Sequence, residues 1–260
     1  KQKQYDTKER GTSRKMRGQI EDNPLWSGPL RDTNTFLQWD LHENRTPSSL
    51  AQARKIRTLT LQQFTVDPRI VAKLESRTFC WVNQGDVEGC AFACLSIMSQ
   101  LGNFNVPWKV DKLLNPTGFR AIYSGKFGFD PDEGDRDWFT TISSSFGPRI
   151  TDLNQALARL EYVPLKAMGY HNKTIGKDLS RGDYGRAVFD YIKGLLRTGH
   201  IVGIPFLQHF VTTVGYRNDQ LLFVGSYGEK WDQGGLHVMD PSFNKMMVGD
   251  ALQEILVAKL

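Results

Sequence analysis

The apolar residues of this chain change their period at Gly199. Ahead of that glycine, GRAVFDYIKGLLRTG sets Val188, Tyr191, Ile192, Leu195 and Leu196 at helical spacing. Beyond it, IVGIPF, FVTTVGY, QLLFVGS and LHVMD are short runs of strand character divided by turn residues, with RNDQ between the second and third. A pattern of period 3.6 does not serve as a strand, nor one of period 2 as a helix, so the two parts must fold differently. Helices first and antiparallel strands afterwards predict an α+β fold.

The earlier part carries further helical signals. TPSSLAQARKIRTLTLQQF opens at Thr46 with capping residues and continues in helix formers to about Phe64. CAFACLSIMSQLG is apolar on nearly every side from Cys90 onward and stops at Gly102, the pattern of a buried helix. Thr151 can cap a helix whose face is Leu153, Ala156, Leu157 and Leu160. Between 102 and 149, abundant Gly, Pro, Asn and aromatic residues predict long loops with short helical pieces.

With 260 residues, a compact chain buries roughly 70–75% of its unfolded surface, enough for a sizeable core. Hydrophobic residues at 40% and charged ones at 23% are ordinary for a globular protein. No apolar run approaches the ~18–20 residues that span a bilayer, so no membrane span is expected. Cys80, Cys90 and Cys94 permit at most one internal disulfide, which argues for a reducing intracellular compartment: cytoplasm, nucleus or an organelle interior. The sequence starts at Lys1 without the apolar core of a signal peptide.

The net charge of +5 is unevenly placed. Residues 1–17, KQKQYDTKERGTSRKMR, hold seven Lys or Arg against Asp6 and Glu9, which accounts for the whole excess. Such an arm can dock on an acidic protein face, on anionic lipid or on nucleic acid. Only Tyr5 interleaves it and no base-stacking module follows, so nucleic acid fits poorly and a solvated or protein-docking arm fits better. Residues 1–46 are therefore read as a basic, irregular extension, 47–65 as a connecting helix and 66–260 as the folded domain.

Chemistry concentrates in two stretches. In NQGDVEGCAFACLS, residues 83–96, Cys90 stands at a helix N-terminus, where exposed N–H groups and the positive end of the macrodipole favour a thiolate. Gln84, six positions upstream, can aim its amide at the oxyanion formed when that sulfur attacks a carbonyl, together with the Cys90 backbone N–H. In QHFVTTVGYRNDQLLFVGSYGEKWDQGG, residues 208–235, His209 heads a strand and can supply the base that a nucleophilic thiol requires.

Both stretches resemble those of the papain-like cysteine peptidases. Asn83, Gln84, Gly85 and Cys90 match the segment around that family's nucleophile with the same Gln-to-Cys spacing. His209, Val211, Val214, Gly215 and Tyr216, then Ser226, Gly228, Trp231 and Gly235, follow its histidine segment without a gap. Asp67 and Arg69 look like the start of the mature enzyme, and the resemblance covers roughly residues 66–241. It implies a two-lobed fold, helical mainly over 80–160 and β-barrel-like mainly over 161–260, with Cys90 facing His209 across a cleft. It also implies an oxyanion role for Gln84, a place for Trp231 beside the leaving group, and Leu207 and Gln208 in the wall near the scissile bond. Peptides or proteins are the expected substrates, and no cofactor is expected.

Departures from the family are specific. Gly225, sixteen residues after His209, stands where the family has the Asn that orients the histidine. Ala91 and Tyr227 replace tryptophans, and Val87 replaces a disulfide cysteine. Two outcomes follow: a peptidase of reduced activity, or a catalytically inactive homologue kept as a binding or structural subunit of a larger assembly. Cys80 and Cys94 are read as core, and no His or second Cys pair has the spacing that a metal site would need. DPDEGDRD, residues 130–137, departs from a calcium loop at Gly134 and Thr141 and is read as a solvated acidic loop.

Overall fold

The computed structural model describes residues 47–87, 89–106, 108–126, 160–164, 181–206, 209–228, 235–239 and 254–260. The arm, the acidic loop and the helix expected from Thr151 to 159 lie outside the described residues. Helices and one antiparallel sheet establish the α+β class. No helix among the described residues is long and apolar enough to cross a membrane.

Helix α1, Pro47–Gln62, follows its helix-forming composition and buries Ala53, Arg57, Thr60 and Leu61. It leads into β1, Thr65–Val66, and then α2, Pro68–Glu75. Asp67 caps α2: its Oδ1 accepts the Arg69 N–H at 2.9 Å, and Pro68 occupies a first-turn position that needs no donor. Helix α3, Cys90–Leu101, is buried at all but Cys90 and Gln100. Its two serines are satisfied internally, Ser96 Oγ donating to Phe92 O and Ser99 Oγ to Ser96 O, each at 2.8 Å. A 3₁₀ turn at Val110–Leu114, short helix α4 at Pro116–Arg120 and a wide helical turn at Ala121–Lys126 then bring Phe119 and Tyr123 around Phe92.

The sheet contains β2 Leu160–Pro164, β3 His200–Phe206, β4 His209–Arg217, β5 Gln220–Val224, β6 Leu236–Met239 and β7 Glu254–Lys259. Its order is β2-β7-β3-β4-β5-β6, every pair antiparallel. β1 pairs with β4 at Thr65↔Tyr216 and Val66↔Gly215, just past the last β3 partner of that strand, Thr213. Asn218, with φ 51°, supplies the left-handed residue of the two-residue β4–β5 turn within RNDQ.

Helix α3 lies on one face of this sheet. Cys94 Sγ meets Thr212 Oγ1 at 3.1 Å, and Phe210, Val214, Leu222, Val224 and Leu256 share a core with the α3 side chains. Helix α5, Arg181–Arg197, packs on β3 and β4 with Val188, Phe189, Ile192 and Leu196 buried. The alternate strand residues Val202, Ile204, Val211, Leu221, Phe223, Ile255 and Val257 are buried too. Side chains alternate along a strand, so the sheet is covered on both faces, and its strands read as unbroken apolar runs.

Leu160 corrects one expectation: it begins β2, paired to Ala258, instead of closing a helical face. The expected strands after Gly199 are present within one or two residues, whereas α2, β1 and β7 carry no expectation from sequence.

Candidate functional site

The loop before α3 is held by its backbone and by the end of β5. Asn83 forms a bridge with Tyr227, Gln84 N–H donates to Ser226 O at 2.8 Å, and Gly228 N–H donates to Val82 O at 2.9 Å. Residues 82–84 are thus laced antiparallel to 226–228, and the two stretches singled out in the sequence meet. On the other side Asn83 N–H donates to Leu113 O at 2.8 Å. Gly85 turns the chain with φ +61°, and a Cβ there would stand 2.6 Å from Pro116 Cβ, so both backbone angle and space require glycine.

Gln84 is 3% exposed, and its carboxamide orientation is fixed by chemistry. Nε2 donates to Val87 O at 2.7 Å, a carbonyl that can only accept; Oε1 then receives the Ser226 hydroxyl proton at 2.5 Å. One amide hydrogen is committed to Val87 and the second belongs to the same nitrogen, so Gln84 retains donor capacity close to the start of α3. Val87 O also accepts the Gly89 N–H at 2.8 Å, which tightens the turn into the helix. The Ser226 hydroxyl proton is thus committed to Gln84, while its oxygen keeps lone pairs that can accept.

Cys90 is the first residue of α3, directly after its N-cap Gly89, and is half-buried. No disulfide joins any of the three cysteines. Cys94, one turn further, is fully buried; desolvation pushes its thiol up to about 12, opposed by the Thr212 hydroxyl bond. Cys80 is buried and donates its thiol proton to Val110 O at 2.7 Å. Of the three cysteines, Cys90 alone combines access with the first turn of a helix.

His209 begins β4, paired with Phe206, three residues before the Thr212 that touches Cys94. Cys90 lies about 6 Å along the helix axis from Cys94, and His209 about 10 Å along the strand from Thr212. Cys90 and His209 thus belong to the two elements that meet at the Cys94–Thr212 contact. Leu207, Gln208 and Trp231 lie outside the described residues.

Gly225 directly precedes Ser226, and its N–H donates to Gly235 O at 3.0 Å. Gly235, φ +91°, is pressed on Trp81: a Cβ there would lie 2.3 Å from the indole Cε3 and Cζ3. Trp81 in turn carries the Arg57 guanidinium 4.6 Å from its ring centroid, with Arg57 itself only 3% exposed. Neither residue stands out in the sequence, because a buried arginine on a helix reads as an exposed one until its partner is known. Among the described residues no group of three or more His, Cys, Asp and Glu could hold a metal ion.

No protein-family model matches the chain, and no curated protein or solved structure is significantly similar to it.

Proposed function

We propose that this protein is a papain-like cysteine peptidase of two lobes, with Cys90 as nucleophile, His209 as base and Gln84 as oxyanion donor. In this reading the imidazole takes the Cys90 proton, and the sulfur attacks the peptide carbonyl. The Gln84 Nε2–H and the Cys90 backbone N–H hold the oxyanion. Collapse expels the amine, which leaves with the proton from the imidazolium. A water deprotonated by His209 then cleaves the thioester, releasing the acid and restoring the thiol. Leu207, Gln208 and Trp231 complete the substrate wall, and the substrate is a peptide or protein chain.

The observation that carries the reading is the buried, oriented carboxamide of Gln84 in a loop that ends at the half-buried thiol of Cys90. Burying an amide so completely is costly unless its bonds are made. Here they are made so as to leave a donor beside a helix N-terminus, and that favours an oxyanion site over ordinary core packing. Incubation with an epoxide or fluoromethylketone probe of such peptidases, followed by mass spectrometry, is expected to label Cys90 alone. No adduct on the folded protein at neutral pH would refute the assignment.

A second reading rests on Gly225. Without a side chain at that position, the imidazole lacks the amide that orients it in the family, and the chain would serve as an inactive binding or structural subunit docking through its basic arm. Deleting residues 1–46 would then abolish partner association while the fold persists; retained association would count against this reading.

A further inference from the structure

We propose that Arg57, on the helix ahead of the peptidase-like region, is a positioning residue for the oxyanion side of the site, an inference that rests on the peptidase reading for its kinetic part. A continuous series of contacts joins them. The guanidinium covers Trp81 at 4.6 Å. Trp81 is 2% exposed and meets Phe79 edge-on at 4.9 Å, so its indole has little room to turn. The ring edge abuts Gly235 so closely that no Cβ fits there. Gly235 O receives the Gly225 N–H at 3.0 Å, and the next residue, Ser226, gives its hydroxyl proton to Gln84. The backbone offers a second route, since Val82, next to Trp81, accepts the Gly228 N–H at 2.9 Å.

Position and charge both matter in this arrangement. A cation stacked on a buried indole is held by the ring quadrupole in a low-dielectric setting, where the attraction exceeds its value at an exposed site. Loss of the cation lets the indole tilt, and Gly235 with the 225–228 turn follows it. The Ser226 hydroxyl is then displaced from Gln84, and the amide loses the orientation that catalysis needs. Helix α1 is accordingly a strut of the site. Its continuation supports this: Val66 and Thr65 pair with β4, and the Arg217 guanidinium lies 4.6 Å over Phe64 while its Nη1 donates to Gln63 Oε1 at 3.0 Å.

The test compares Arg57→Lys with Arg57→Met in the full chain. Amide hydrogen exchange over 82–85 and 224–228 is expected to speed up about tenfold in the Met variant and to stay near wild type in the Lys variant. Peptide hydrolysis is expected to lose about tenfold in kcat with KM within twofold, while iodoacetamide alkylates Cys90 at an unchanged rate, since alkylation forms no oxyanion. Should the Met variant fail to fold, Trp81→Phe withdraws the indole edge that abuts Gly235 and carries the same expectations. Unchanged exchange over both segments in a folded variant would overturn the coupling. Absence of hydrolysis by wild type, with the exchange effect present, would instead sink the peptidase reading and leave the strut intact.

Discussion

Ser226 and Gln84, 142 positions apart, meet in a buried hydrogen bond of 2.5 Å. The serine is the donor, because the Gln84 nitrogen is claimed by the Val87 carbonyl at 2.7 Å. The side chain that would hold an oxyanion is thus aimed by a residue of the other candidate stretch, so the two stretches act as one unit.

Removing that donor tests the unit. Ser226→Ala leaves the Gln84 oxygen buried without its proton, a loss on the order of 1–3 kcal/mol. Urea unfolding should show it as a lower midpoint with an unchanged slope. Hydrolysis of a peptide substrate should fall about tenfold, while alkylation of Cys90 stays within twofold of wild type. Equal losses in both would mean that the serine supports the nucleophile instead of the amide.

Two glycines should respond to alanine with opposite signs. Gly85→Ala forces a side chain onto φ +61° and into Pro116 at 2.6 Å, and left-handed strain with overpacking should cost about 2–4 kcal/mol. Gly194, within α5, has no left-handed angle, and a Cβ there would find nothing within 4 Å. Alanine at 194 should stabilise by about 0.4–1 kcal/mol through the unfolded chain and helix propensity. Thermal unfolding of the two variants checks both, and a destabilised Gly194→Ala would contradict the open space at residue 194.

What the sequence displayed was the local part of this fold. β3 to β6 were legible because turn residues punctuate short apolar runs, and α3 because Gly89 and Gly102 bracket an apolar segment. β7 was not legible: EILVAK gains its meaning from strands nearly a hundred and more than fifty positions away, β2 and β3. Leu160 misled for the same reason, since its spacing with Leu157 fits a helix while its partner Ala258 lies at the far end of the chain. At the site, resemblance brought Gln84, Cys90 and His209 together in expectation. The Ser226 bond and the Arg57–Trp81–Gly235 stack required the fold, because each joins groups whose significance is invisible until burial is known.

Cys94 predicts an alkaline weakness. Burial raises its thiol to about 12 in the folded state, against about 8.5 in an open chain. Below the lower value the thiol is protonated in both states and its contribution to stability is complete. Between the two values the unfolded chain releases the proton and the folded one keeps it, so stability falls as pH rises, by up to about 1.4 kcal/mol per pH unit. Tyrosines and lysines titrate in the same range, so the readout is a difference: the stability advantage of wild type over Cys94→Ala should shrink from pH 9 to 12. An advantage that stays constant over that window would show that Cys94 is solvated. In the native protein at neutral pH, thiol reagents should modify Cys90 well ahead of Cys94.

Gly225→Asn asks whether the missing side chain limits activity. The backbone angle permits it: among the described glycines, positive φ occurs at Gly85, Gly199, Gly228 and Gly235, not at Gly225. If the resemblance holds for the histidine, an Asn carbonyl at this position accepts the imidazole N–H and fixes its tautomer and tilt, a bond worth about 1–2 kcal/mol. That corresponds to roughly 5–30-fold in kcat/KM. The same bond favours the imidazolium, so the thiolate–imidazolium pair should persist to higher pH and the alkaline limb of the rate profile should move upward. Under the inactive-subunit reading, the variant is the form in which peptide cleavage first becomes measurable. A folded Gly225→Asn protein with unchanged hydrolysis and an unchanged pH profile would show that residue 225 does not govern the His209 ring, and the resemblance would then fail at its most specific point.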